Sequence, residues 1–287
     1  MVKTDSVFPE PGVHPRIPAE KYFEWAAISR SHLEAARRSL AHMKQRMIQP
    51  VEATPAMLLG RAAHSAILEP DEFGERYCVF EGERRTKDGK AQYSELIERH
   101  GAGYVLNQTD YDKCVSMRDA VWANQSAKAL LGKDGDTELS IAWQDDETEL
   151  LCKARLDRVS WKLAGGTIVD LKTTKDASRA EFERAIFNLG YHRQGGYYMN
   201  GVKARKIDMN HYTTIAVEKE EPFAVAVYRM TEGALEAGMD QIRPLMRKVR
   251  ECMETDVWPG YVDEVVDIAL PEWAWSKIEQ ELSEGGQ

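Results

Sequence analysis

Residues 149–174 read ELLCKARLDRVSWKLAGGTIVDLKTT. Apolar and charged residues alternate through 149–161, break at Ala164-Gly165-Gly166 and resume over 167–172, the pattern of two strands joined by a tight turn. Successive side chains on a strand point to opposite faces. Asp170 and Lys172 therefore share a face, while Leu171 turns into apolar packing. On the preceding strand Lys153, Arg155 and Asp157 share one face, and Cys152, Ala154 and Leu156 the other. The Gly-Gly turn brings Asp157 towards Asp170. Two carboxylates beside a lysine are hard oxygen donors of the kind Mg²⁺ takes. The ammonium group can orient or deprotonate water and offset charge on a phosphate. A solvated ion pair at a strand edge gives the same Asp-x-Lys triplet, so the triplet alone does not separate the two readings.

Working outward, ELSIAWQ at 138–144 adds a third strand, joined through Asp145-Asp146-Glu147. HYTTIAVEKE and FAVAVYRM form a further pair around Glu220-Glu221-Pro222. A helix is predicted to start near Ser29–Ser31, where Ser31 and Glu34 have capping-box separation and Leu33, Ala36, Leu40 and Met43 follow at helical intervals, and another over 55–69, where Thr54-Pro55 is a start signal. Further helices are predicted at 110–131, 178–189, 191–204 and 232–254. Residues 81–92, polar and glycine-containing, read as a loop carrying Arg84, Arg85, Lys87 and Lys90, either solvated or able to touch a polyanion. Pro9, Pro11, Pro15 and Pro18 make residues 1–24 an extended arm. Helices, a β-meander, helices and more strands predict an α/β fold with a central mixed β-sheet flanked by helices. Residues 25–255 are expected to form one domain, followed by an acidic C-terminal segment, 256–287, in which Trp273 and Trp275 either meet a neighbour or finish the core.

Two helical pairs carry further chemistry. Gly60 and His64 lie four apart on one helix face, and a neutral imidazole is a competent metal ligand as well as an ordinary hydrogen-bonding group. The glycine would admit a close neighbour. Gln194 and Tyr198 share a face on a second helix, where an amide and a phenol can bond phosphate oxygens or a base edge. Gly195 and Gly196 are costly inside a helix and point to close packing there.

The chain of 287 residues has 38 Lys+Arg against 47 Asp+Glu, a formal net charge of -9. All of that excess sits in residues 251–287, with ten acids against one lysine, so residues 1–250 balance at 37 and 37. A coat that binds nucleic acid by bulk charge is excluded, whereas an enzyme with a local grip is not. No apolar run is long enough to span a membrane. With no secretory h-region and four scattered cysteines without a CxxC, a reduced cytoplasmic setting is expected. GxGxxG, Walker, GxSxG and HExxH patterns do not occur.

GxxxH, Asp, DxK and QxxxY in this order resemble the PD-(D/E)xK nuclease superfamily in its RecB-like branch. TPAMLLGRAAHSAILEPDEF, KARLDRV, IVDLKTT and YHRQGGYYMNGV are similar, more closely, to the RecE-type exonucleases (exodeoxyribonuclease VIII) of prophage recombination systems. The resemblance spans roughly residues 25–230. It implies a restriction-endonuclease-like PD-(D/E)xK core. His64, Asp157, Asp170 and the Leu171 carbonyl would be metal ligands for Mg²⁺, with Mn²⁺ as substitute, and Lys172 the catalytic lysine. Gln194 and Tyr198 would buttress the site and touch DNA, and Arg30 and Ser31 would lie near a 5′-phosphate. It further implies 5′→3′ digestion of one strand from double-stranded DNA ends, a homo-oligomeric ring and a single-strand annealing partner. Two other readings stay open: a RecB-like or CRISPR-associated nuclease, and a catalytically silent DNA-binding protein of the same fold.

Overall fold

A computed structural model of the chain describes residues 7–49, 52–132, 134–161 and 165–284. Its strands are β1 (Gly12–His14), β2 (Cys78–Val79), β3 (Val105–Leu106), β4 (Gly135–Gln144), β5 (Leu151–Ser160), β6 (Thr167–Thr174), β7 (His211–Glu218) and β8 (Val225–Arg229). The helices up to the meander are α1 (Ala19–Glu24), α2 (Arg30–Ala36), α3 (Leu40–Ile48), α4 (Pro55–Leu68), α5 (Pro70–Arg76), α6 (Lys87–His100), α7 (Gln108–Ala123) and α8 (Gln125–Leu131). Beyond it lie α9 (Arg179–Asn188), α10 (Tyr191–Ala204), α11 (Glu232–Thr255) and α12 (Glu272–Glu284).

Six strands form one sheet in the order β1-β4-β5-β6-β7-β8. Only β6 and β7 are parallel, because α9 and α10 make the crossover between them. The fold is thus the expected mixed α/β architecture. Leu139, Ile141, Trp143, Cys152, Ala154, Leu156 and Ile168 meet α2, α3, α10 and α11 on one face. Val169, Leu171, Ile215 and Val217 meet α4, α7 and α8 on the other. Trp143 and Tyr197, both fully buried with rings 4.9 Å apart, seat α10 on β4. Burial of such a side chain contributes about 1.5–3 kcal/mol. The helical glycines act as expected: a Cβ on Gly196 would fall 2.4 Å from the Leu235 carbonyl oxygen, so α10 and α11 touch backbone to backbone. Gly60 does not act this way, since its nearest neighbour would be the Thr173 hydroxyl at 3.8 Å.

Several local expectations are corrected. The N-terminal residues do not run as a free extended arm: β1 pairs with β4, and α1 packs Tyr22 and Trp25 against Ala142. The capping box of α2 is Ser29 with His32, two residues earlier than predicted, because Glu34 is drawn instead to Arg37 and Arg193. The 81–92 stretch is only half a loop: the Thr86 side chain accepts the Gly89 N–H and starts α6. The 110–131 helix is two helices, parted at Asn124, whose side chain caps the second. The acidic segment contains α12, which has no buried residue and leaves Trp273 and Trp275 exposed. No described helix is long and apolar enough to cross a membrane.

Candidate metal and catalytic site

The site lies where β5 and β6 part. Their ladder holds for three pairs, Ser160↔Thr167, Val159↔Ile168 and Arg158↔Val169. The next position would pair Asp157 with Asp170, and there the Asp157 carboxylate takes the place of the backbone: the Leu171 N–H donates to Asp157 Oδ2 at 2.9 Å. The first half of β5 is paired instead with the segment before α2, through Ile28 N–H to the Leu151 carbonyl (2.8 Å) and Lys153 N–H to the Ile28 carbonyl (2.7 Å). Leu156 and Val159 both enter the same core cluster although they stand an odd number of positions apart. Strict alternation of faces is therefore interrupted between them. On β4 the residue opposite Asp157 is Glu138, whose backbone takes φ +54°.

α4 brings His64 to this opening, with Nδ1 3.7 Å from Asp157 Oδ2 and the ring against the Leu171 backbone. β6 presents Asp170, 1% exposed, and Lys172, with Nζ 2.6 Å from Asp170 Oδ2. α10 supplies Gln194, whose Nε2 donates to Asp170 Oδ1 at 2.5 Å and whose Oε1 accepts from Lys172 Nζ at 3.4 Å. One amide thus fixes both members of the DxK pair. The Lys172 ammonium also stands 4.9 Å from the centre of the Tyr191 ring, within cation–π range. Tyr198 packs edge-on to Tyr212 behind the carboxylates, and burial, with the charge of the neighbouring Asp170, pushes the Tyr212 hydroxyl well above its usual range.

The electrostatics follow from two buried acids facing each other. Burial and the charge of Asp170 push the Asp157 carboxyl up to about 7. Burial opposes the charge on Lys172, but Asp170 and Asp157 outweigh it and hold the lysine above its usual range. Burial and the neighbouring Lys172 charge lower His64. Burial and Asp157 raise Glu138 against the pull of Arg155.

The other sequence-selected residues are placed as follows. Arg30 Nη2 donates to the Leu189 carbonyl at 2.6 Å, and Ser31 is exposed with its hydroxyl 3.0 Å from that of Ser29. Lys153 shares strand parity with Asp157 but does not enter the site. It donates to the carbonyls of Tyr22 (3.0 Å) and Trp25 (2.8 Å) at the C-terminal end of α1, where a cation is favoured. Sequence reasoning missed Glu138, Tyr191 and Tyr212. Counting back across the 145–147 turn would have set Glu138 opposite Asp157, and Tyr191 is one helical turn before Gln194. The tyrosine on β7 had no signal.

Among the described residues no three His, Cys, Asp or Glu side chains already form a closed metal cage. The donor chemistry nevertheless suits a hard cation: two carboxylates and an imidazole converge beside the Leu171 backbone, and the buried Asp170 Oδ2 has Lys172 as its counter-charge. Cys114 lies in one core cluster and Cys152 in the other.

Residues 28–268 match the family described as "PDDEXK-like domain of unknown function (DUF3799)". A crystal structure from Eubacterium rectale, described as that of a "putative exonuclease", superposes with a TM-score of 0.60 at 13% identity, covering 92% of this chain and 99% of that one. This is a likeness of fold. The structure of SSO0001 aligns over 53% of this chain and 70% of that one at 10% identity, and its TM-score of 0.27 carries no argument. The curated proteins give no match.

Proposed function

The chain belongs to this PDDEXK-like family, and from that premise we propose that it is a divalent-metal-dependent deoxyribonuclease that degrades one strand of linear duplex DNA from its ends. The observation that carries the reading is the convergence of His64, Asp157, Asp170 and Lys172 at the parting of β5 and β6, with Lys172 Nζ paired to Asp170 Oδ2 at 2.6 Å. His64, Asp157, Asp170 and the Leu171 carbonyl would hold Mg²⁺, with Mn²⁺ as a substitute. When bound, the cation supplies Lewis-acid polarisation of the phosphate and acidifies water. Lys172, fixed by Asp170 and Gln194, adds a positive charge and its remaining N–H beside the reacting phosphate, where they orient the attacking water and offset developing charge. Gln194 keeps Lys172 and Asp170 in register. Water attacks phosphorus and the P–O3′ bond breaks, so the released nucleotide keeps its own 5′-phosphate. The 5′→3′ direction, a ring-shaped homo-oligomer and a single-strand annealing partner rest on the RecE-type resemblance.

The test is digestion of end-labelled linear duplex in Mg²⁺, with 5′-phosphate and 5′-hydroxyl ends and a circular duplex in parallel. Early loss of 5′ label, a 3′ overhang and an intact circle are expected. Release of 3′ label first, or nicking of the circle, would overturn the exonuclease direction or class. Gln194 gives a finer check. Gln194→Leu is expected to cut kcat about 10- to 100-fold, the usual cost of losing an outer-shell partner, with KM within about twofold. A change in KM alone would place Gln194 on the substrate instead.

A further inference from the structure

A groove of about 940 Å³ runs outward from His64. Its floor is the β4–β5 surface at Thr137, Glu138, Arg155 and Arg158. One wall is residues 15–20, and the other is α4 and α5. Its size is at the upper end of ligand-binding clefts, about 300–1,000 Å³. We infer that this groove is a binding subsite for the phosphodiester backbone of the strand being cut, gripped by Arg61 and Arg16 from opposite walls. The inference rests on the nuclease reading and extends it to the nucleotides beside the scissile phosphate.

The arginines of the groove differ in how their charge is spent. Arg76 is paired with Glu69 and Glu72. Arg155 is paired with Glu138 and also donates to the Ile17 carbonyl at 2.7 Å. Arg158 donates to the Thr137 hydroxyl at 3.1 Å and to the Gly132 carbonyl. Arg16 and Arg61 are exposed and have neither ion pair nor hydrogen bond among the described residues. Arg61 precedes His64 by three residues on α4, so both project from the same helix face. A phosphate chain that passes His64 meets Arg61 within one helical turn.

Arg16 stands on a wall that is fastened rather than loose. Arg155 holds Ile17 and Lys153 holds Tyr22 and Trp25, all through backbone carbonyls and from alternate positions of the strand that carries Asp157. The groove also concentrates backbone strain. Arg16 at φ +58° and Glu138 at φ +54° are non-glycine residues in the left-handed region, one on the wall and one on the floor. Such residues are strained and cluster at ligand clamps. The groove lining carries five arginines against six acids (Glu20, Glu69, Asp71, Glu72, Asp136 and Glu138), so its field as a whole is not basic. The grip therefore comes from two placed guanidiniums, which match phosphate oxygens in a bidentate manner, rather than from a basic field.

The experiment measures binding of a 5′-phosphorylated, fluorescent linear duplex to the full chain in Ca²⁺, and cleavage in Mg²⁺. Arg61→Ala and Arg16→Ala are each expected to raise Kd and KM about tenfold, the usual worth of one charge-assisted contact. Each should also reduce the slope of log Kd against log salt by about one. kcat should stay within about threefold, and Arg61→Lys should recover most of the binding. Arg243 on α11, across the sheet, serves as the control. If wild type binds and cuts while both variants match it, the groove is not the strand path. An equal loss in Arg243→Ala would mean general charge and overturn the inference as well. If wild type neither binds nor cuts DNA in any divalent cation, the nuclease reading itself falls, and this subsite with it.

Discussion

Lys172→Met is expected to lower kcat by about 100- to 1,000-fold, and at the same time to destabilise the metal-free protein. The first effect follows from removing a fixed donor and charge beside the reacting phosphate. The second follows from the ion pair. Lys172 Nζ lies 2.6 Å from Asp170 Oδ2, and the Asp170 side chain is 2% exposed. Taking away one partner of a buried pair leaves the other uncompensated, at a cost of about 3–5 kcal/mol, less whatever Asp170 recovers by taking up a proton. Methionine replaces the aliphatic stem and removes only the ammonium, with its cation–π contact to Tyr191, so packing is little disturbed. A divalent cation should then restore much of the lost stability, because it supplies the missing positive charge, but it should not restore cleavage. Thermal unfolding in chelator and in Mg²⁺, beside single-turnover cleavage, separates these outcomes. A variant with unchanged stability in chelator would show that Lys172 is not the counter-charge of Asp170.

The parts of this site that could be read from sequence depend on short-range rules. The Asp-x-Lys spacing fixes both side chains to one face because alternation is local. The approach of Asp157 to Asp170 follows from Gly165 and Gly166, whose φ values of +79° and +89° only glycine adopts freely. The same rule misplaced Lys153. Its parity is that of Asp157, but it meets carbonyls contributed by residues 22 and 25, about 130 positions earlier in the chain. No periodicity carries that information. Glu138 was hidden for a related reason: its left-handed backbone lies inside a strand, where pattern rules assume regular geometry. The N-terminal wall of the groove reads from sequence as an extended arm because prolines report the absence of a helix locally, not the presence of a partner strand. His64 needed both kinds of information. Its helix was legible from Thr54-Pro55 and the apolar spacing, but its place beside Asp157 depends on how α4 packs on β6.

Asp157→Asn is expected to abolish cleavage while it stabilises the metal-free protein, a pairing of signs opposite to that of Lys172→Met. The amide oxygen of asparagine can still accept the Leu171 N–H, so the local hydrogen bond survives. What is lost is a negative charge held in a buried place against Asp170. That charge is disfavoured: the Asp157 pKa stands at about 7 in the fold against 3.8 outside it. A carboxyl raised by folding binds its proton more tightly in the native state. Its contribution to stability is therefore present at low pH and is lost as pH climbs from about 4 to about 7. Above pH 7 the full penalty remains, on the order of a few kcal/mol. The variant should thus match wild type near pH 4 and exceed it most at pH 7 and above, in chelator. Mg²⁺ should reverse the order at high pH, because the cation turns the repulsion between Asp157 and Asp170 into coordination in wild type alone. For the same reason Mg²⁺ should raise the wild-type Tm more at pH 8 than at pH 5.5, where a proton must first leave Asp157. Calorimetric scans of both proteins across this range, with and without Mg²⁺, decide the matter. If Asp157→Asn lowers stability at pH 8 in chelator, Asp157 is a structural anchor for β6. If it raises stability and Mg²⁺ adds nothing to wild type, the two carboxylates repel each other for some purpose other than holding a cation.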